Sequence, residues 1–226
     1  MLEHIEVSSA DGRHRRILLH ENLTNPWAIA VDPRPGVRFL FFTDWAKNPR
    51  IERCSMDGQE RITLVNDSIH MPFGLTLDLI REKVYFSDRH LNYIEVISYT
   101  GADRRKILSN THFLHAPTSI AIFENYLYWF DSNSNEVRRL NRFEHDVKAQ
   151  RHERILSRTG ITHLKISHQI YQPSGTHELL LIHVDFHFCV NLRFKPMSTI
   201  SLYTTLSSFS YCTIGPYLCL FNWLLS

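Results

Sequence analysis

Residues 71–108 read MPFGLTLDLIREKVYFSDRHLNYIEVISYTGADRRKIL, and this stretch decides the fold. It divides into four short segments with strand character. After Pro72, Leu75 and Leu77 alternate with Thr76 and Asp78, the period of a half-buried strand. The polar gap Ile80-Arg81-Glu82-Lys83 leads to an aromatic run that ends in an acid, Tyr85-Phe86-Ser87-Asp88. A third segment opens at Ile94-Glu95 and ends in a turn at Thr100-Gly101, and a fourth carries Lys106-Ile107-Leu108.

The same order recurs on both sides. Phe41-Phe42-Thr43-Asp44, Tyr85-Phe86-Ser87-Asp88 and Tyr128-Trp129-Phe130-Asp131 place their acids 44 and 43 residues apart. Pro26, Pro72 and Pro117 open the alternating segments at spacings of 46 and 45. Ile5, Ile51, Ile94 and Val137 open the third segments at 46, 43 and 43. Turns at Asp11-Gly12 and Asp57-Gly58 separate third from fourth segments, a strong hairpin signal between apolar runs. Three ladders with one period predict an array of four-stranded units. Such a unit is the blade of a β-propeller, which cannot cover both of its faces alone and packs between two neighbours.

The ordered set resembles the Tyr-Trp-Thr-Asp repeat, the class B repeat of the low-density lipoprotein receptor family, with the large endocytic receptor-related members as the nearest likeness. The resemblance runs from Ile5 to about Pro173. It also rests on the Ile-Glu…Asp-Gly-x-x-Arg pattern and on the Pro-x-x-[Leu/Ile] strand. It implies an all-β fold and a six-bladed β-propeller. This chain holds about three and a half four-stranded blades of such a ring: Pro26–Leu64, Pro72–Leu108, Pro117 to about Leu156, a strand pair Ile5–Leu19 before them, and an opening strand in Ile161–Gln169 after them. The resemblance further implies a non-enzymatic ectodomain module on the extracellular side of the plasma membrane or in endosomes. Protein ligands and EGF-like modules would be its partners, and no cofactor is expected. Acid-triggered ligand release is implied too, but no particular histidine pair is assigned to it.

Phe42, Thr43, Asp44, Phe86, Ser87, Asp88, Trp129, Phe130 and Asp131 are read as structural. The aromatics fill the space between blades. The hydroxyl and carboxylate bond backbone groups at a strand end or on a neighbouring blade, because a buried carboxylate must find donors. Phe130 stands where a hydroxyl is expected, which puts that blade's hydrogen bonding in question.

The chain divides at 1–173, the partial propeller, and 174–226, an apolar tail. Where the family continues into a cysteine-rich module, this sequence reads YQPSGTHELLLIHVDF from Tyr171. The tail is expected not to be a native domain, through read-through of non-coding sequence or a shifted frame, and not to pack on the blades; a lineage-specific extension is the alternative.

The net charge of +2 and the lack of a basic stripe argue against nucleic acid as a partner. No signal peptide or spanning helix is read from the sequence. Cys54, Cys189, Cys212 and Cys219 form no zinc or disulfide pattern. His112-x-x-His115 and His183-x-Asp185-x-His187 are the tightest histidine groupings, and scattered histidines are preferred over a metal site. Asn22-Leu23-Thr24 and Asn66-Asp67-Ser68 are sequons for N-glycosylation. Two further functions compete. A lactonase-type propeller hydrolase would need inward carboxylates around a central metal, whereas Asp44, Asp88 and Asp131 fall at the motif position. A secreted matrix propeller of the nidogen kind is the other.

Overall fold

A computed structural model describes residues 4–9, 14–109, 112–143, 152–157, 161, 163–168, 180–183, 189–194 and 198–203. These residues form strands and turns, with antiparallel pairing throughout. β1 (Ile5–Ser9) and β2 (Arg16–Leu19) form a hairpin. Three four-stranded sheets follow. The first is β3 (Pro26–Asp32), β4 (Phe39–Asp44), β5 (Arg50–Ser55) and β6 (Ile62–Val65). The second is β7 (Pro72–Asp78), β8 (Lys83–Asp88), β9 (Tyr93–Ser98) and β10 (Arg105–Ser109). The third is β11 (Pro117–Phe123), β12 (Tyr126–Asp131), β13 (Glu136–Asn141) and β14 (Glu153–Ser157). β15 (His163–His168), β16 (Leu180–His183), β17 (Cys189–Phe194) and β18 (Ser198–Tyr203) complete the described elements.

Each four-stranded sheet is a meander whose strands pair in chain order. The first strands β3, β7, β11 and β15 lie side by side, so the sheets radiate from a common axis as blades. Pro26, Pro72 and Pro117 begin the inner strands, where a missing N–H costs no ladder bond. The register slips just after each proline, between Pro26 and Ile29, Pro72 and Gly74, and Pro117 and Ser119.

The second strand of each blade explains the aromatic motif through its period of two. On β8, Val84 and Phe86 pack with Phe41, Ile51 and Val65 of the preceding blade, whereas Tyr85 joins Leu127, Trp129 and Leu140 of the following one. On β12, Leu127 and Trp129 face back, and Tyr128 and Phe130 face Ile161 and Leu164. On β4, Leu40 and Phe42 meet Ile5 and Leu19 of the first hairpin. Burying each such side chain contributes about 1.5–3 kcal/mol, and none can be buried without the next blade.

At the ends, the strand orders are β16-β1-β2 and β15-β18-β17. β16 therefore sits on β1 where β4 sits on β5, with Glu6 opposite His183 and Ser9 opposite Leu180. β18 sits on β15 where β4 sits on β3, with His163 opposite Tyr203. This departs from the expectation that the tail would not pack on the blades. The physical reason lies in the half-blades: β1 pairs with β2 on one edge only, and its other row of N–H and C=O groups is a template for any extended apolar segment.

Candidate functional site

The site is built from the loops that close each blade at one end of the axis. Asp44, Asp88 and Asp131 end the second strands and are 0% exposed. Asp88 accepts from the backbone N–H of His70 (2.6 Å), Met71 (2.9 Å), His90 (2.9 Å) and Leu91 (2.8 Å). Asp131 accepts in the same way from His115, Ala116, Asn133 and Ser134. Asp44 accepts from Thr24 N–H (3.0 Å), Asn25 N–H (2.6 Å) and the Thr24 hydroxyl, and Arg50 lies 3.0 Å away. Asp88 and Asp131 thus tie the loop entering the inner strand to the loop leaving the second strand, whereas Asp44 ties the entering loop to Arg50 at the start of β5. Burial pushes the Asp131 carboxyl up, but its four backbone donors outweigh this and hold it below the usual carboxylate range.

The motif hydroxyls act one residue earlier. Thr43 accepts from Ala28 N–H at 2.9 Å, and Ser87 donates to the Pro117 carbonyl of the next blade at 3.0 Å. Phe130 has no hydroxyl to offer. Ser119, on the adjoining inner strand, takes over and accepts from Leu164 N–H at 2.8 Å.

The Ile-Glu…Arg pattern is an ion pair across the outer hairpin. Arg15 meets Glu6 at 3.2 Å, Arg61 meets Glu52 at 2.5 Å and Arg104 meets Glu95 at 2.7 Å. Arg61 also donates to the Glu21 carbonyl, and Arg104 to that of Asp67, anchoring the outer end of the same loops.

These anchors hold an aromatic mouth at the axis, which the repeat pattern left unmarked. Trp27 and Phe73 are the second residues of inner strands β3 and β7, and their rings stack with centroids 4.3 Å apart. Trp45 follows Asp44 and meets Phe73 edge-on at 5.5 Å. Arg89 follows Asp88 and holds its guanidinium 5.5 Å from the Phe73 ring centre. His163 lies across the axis, 6.3 Å from Trp27, and burial pushes its imidazole down to about 4. The positions after each proline and each motif aspartate carry different side chains from blade to blade, so no recurring residue type marks them.

The opposite end of the axis carries a second feature that periodicity missed. Asp32 and Asp78 end the inner strands β3 and β7, and each is bound by the following blade. Tyr99 donates its hydroxyl to Asp32 at 3.1 Å, beside Arg34. Arg142 donates to Asp78 between side chains that are each only 4% exposed. Burial pushes both carboxyls up, and Arg34 and Arg142 respectively bring them below the usual range. Tyr99 and Arg142 are the residues just after the third strands β9 and β13.

Asn22 and Asn66 are exposed on the loops entering β3 and β7. His112 and His115 are exposed, and Asp185 and His187 lie outside the described residues. Cys54 is buried, which pushes its thiol up to about 11. Among the described residues, no three His, Cys, Asp or Glu side chains gather as a metal site, and no helix is long and apolar enough to cross a membrane.

Four-stranded antiparallel blades about shared inner strands, each closed by a buried aspartate, define the class as a β-propeller module. The model of the low-density lipoprotein receptor repeat class B matches residues 2–33, 38–79 and 82–124. The chain belongs to that family. Each matched segment ends on an inner strand, so it combines outer strands of one blade with the first strand of the next. The chain is 32% identical over 178 residues to the vitellogenin receptor Yl of Drosophila melanogaster, covering 78% of this chain and 8% of that protein. It is 34% identical over 149 residues to the human low-density lipoprotein receptor-related protein 5-like protein, covering 66% of this chain and 56% of that one. A solved nidogen/laminin complex contains a similar chain at 30% identity and a TM-score of 0.58, covering 67% of this chain and 59% of that one. The chain thus spans little more than half of one curated relative and a small part of the other.

Proposed function

We propose that this chain is a non-enzymatic ligand-binding module of an endocytic receptor ectodomain, with the aromatic mouth on the Asp44–Asp88–Asp131 face as its ligand site. The observation that carries this reading is how the acids are spent. The motif carboxylates are fully buried and satisfied, Asp88 and Asp131 by four backbone donors each and Asp44 by two backbone donors with the Thr24 hydroxyl and Arg50. This suits scaffolding of the loops and leaves Trp27, Trp45 and Arg89, packed on the buried ring of Phe73, as the surface they present. A lactonase-type hydrolase is disfavoured because the inner-strand acids Asp32 and Asp78 stand at the other end of the axis, held by Arg34 and Arg142. Neighbouring EGF-like modules and an extracellular or endosomal location belong to the same proposal. So do N-linked glycans at Asn22 and Asn66, read out as a mass loss on glycosidase treatment of chain made in a secretory cell. In this reading residues 1–173 are the module. Residues 174–226 lie outside it, with β16 and β18 standing where strands of further blades would stand.

A second reading, a secreted matrix propeller, is favoured by the 30% identity to a chain of the nidogen/laminin complex. Immobilised full chain, probed with vitellogenin and with laminin, separates the two. Saturable vitellogenin binding that Trp45→Ala weakens supports the receptor reading, and laminin binding with that dependence supports the matrix reading. Turnover of a lactone panel, with neither protein bound, would overturn both.

A further inference from the structure

We propose that the axial mouth selects a peptide segment in which a carboxylate adjoins an aromatic or branched apolar side chain. This rests on the mouth being the ligand site, as argued above, and adds the chemistry of what enters it. Arg89 is the starting point. Its half-buried guanidinium lies against Phe73 and forms no ion pair with any described carboxylate. The other arginines of this face are engaged: Arg50 with Asp44 and Glu52, Arg61 with Glu52, and Arg104 with Glu95 and Asp67. Arg89 is therefore the cation that the blade architecture leaves unmatched beside the aromatic wall. Exposed Lys47, two residues beyond Trp45, adds charge of the same sign.

No described carboxylate opposes them. Asp44, Asp88 and Asp131 are buried, Asp67 is held by Arg104, and Glu21 stands at the outer end of its loop, where its carbonyl receives Arg61. A guanidinium partly withdrawn from water gains most from a carboxylate placed in the plane of its N–H fork, while its face keeps the contact with Phe73. Trp27 and Trp45, half-buried against the buried ring of Phe73, offer an apolar anchor beside it, the usual centre of a small protein interface. A lysine-rich segment would meet like charge with nothing to offset it.

The test selects a displayed random peptide library on the full chain and measures the affinity of the enriched peptides for wild type, Arg89→Glu and Arg89→Gln. The expected peptides carry Asp or Glu next to an aromatic or branched residue, lose about tenfold or more in affinity for Arg89→Glu, and weaken with added salt. Replacing their acid by Lys should restore binding to Arg89→Glu. If near-ultraviolet circular dichroism shows that Arg89→Glu has not folded, Arg89→Gln serves, with apolar selectivity kept and the acidic preference lost. Peptides that require Trp45 but carry no acid, or bind all three proteins equally, overturn this inference alone. Failure to enrich any peptide that Trp45→Ala weakens overturns it together with the proposed ligand site.

Discussion

Ser87 Oγ stands 2.3 Å from the point where a Cβ on residue 74 would lie, so the inner strand carries Gly74 there. The hydroxyl needs that space to reach the Pro117 carbonyl of the next blade. In the next blade the pair is inverted, with Ser119 on the inner strand and Phe130 on the second strand. One hydroxyl per junction is kept, and the strand that supplies it changes. Gly74→Ala should destabilise the chain by about 1–3 kcal/mol through overpacking. Adding Ser87→Ala should recover most of that loss despite removing a hydrogen bond. Chemical denaturation of the single and double variants reads this out, and equal stability of the two would refute it.

Asp88→Ala should lower stability by several kcal/mol, since about 1–3 kcal/mol attaches to each backbone donor left unmet, and four donate to this carboxylate. Asp88→Asn keeps an acceptor and should fall between. A thermal melt distinguishes this from a contact role, for which ligand binding would drop at an unchanged melting temperature.

Arg142→Leu removes the partner of a buried acid and should cost about 3–5 kcal/mol. The double variant Arg142→Leu/Asp78→Leu should be more stable than the single one, because the stranded charge is gone. If the double variant were no better, Arg142 would act through packing on Phe143 rather than through Asp78.

Acid should weaken the fold through His163. Its folded value of about 4 lies below the ordinary histidine value of 6.5, so between these limits the unfolded chain binds more protons. Stability from this group is intact above pH 6.5 and falls as the pH drops toward 4, by on the order of 3 kcal/mol across the window. His163→Gln should flatten that part of the stability profile, and an unaltered slope would show that another group controls it.

The blades were legible because their positions repeat chemistry. The prolines, the buried aspartates and the Glu–Arg hairpin pairs recur with their residue types, and each meets one backbone need wherever it occurs. The junctions were harder to read. The residue after the third strand is Met56, Tyr99 or Arg142 in successive blades, and Tyr99 and Arg142 each meet the aspartate that ends the preceding blade's inner strand. The aspartate recurs but the group that reaches it changes, so no repeated pair marks the coupling of two blades. The mouth is hidden because Trp27 and Phe73 share a position with Thr118, which breaks the aromatic pattern after two blades. The pairing of β16 with β1 could not be read from residue patterning, because it follows from an open edge.

The offset between sequence repeat and blade bears on how the chain responds to being cut. Ile80, 76% exposed in the turn between β7 and β8, lies at the boundary between the matched segments 38–79 and 82–124. A protease that nicks this turn separates two repeats in the covalent sense, yet the break falls inside a sheet. The two fragments remain joined by the β7–β8 ladder from Pro72 opposite Asp88 to Asp78 opposite Lys83. Nicked protein should therefore migrate as one species in a native gel and come apart only in denaturant, as a zip fastened across the cut.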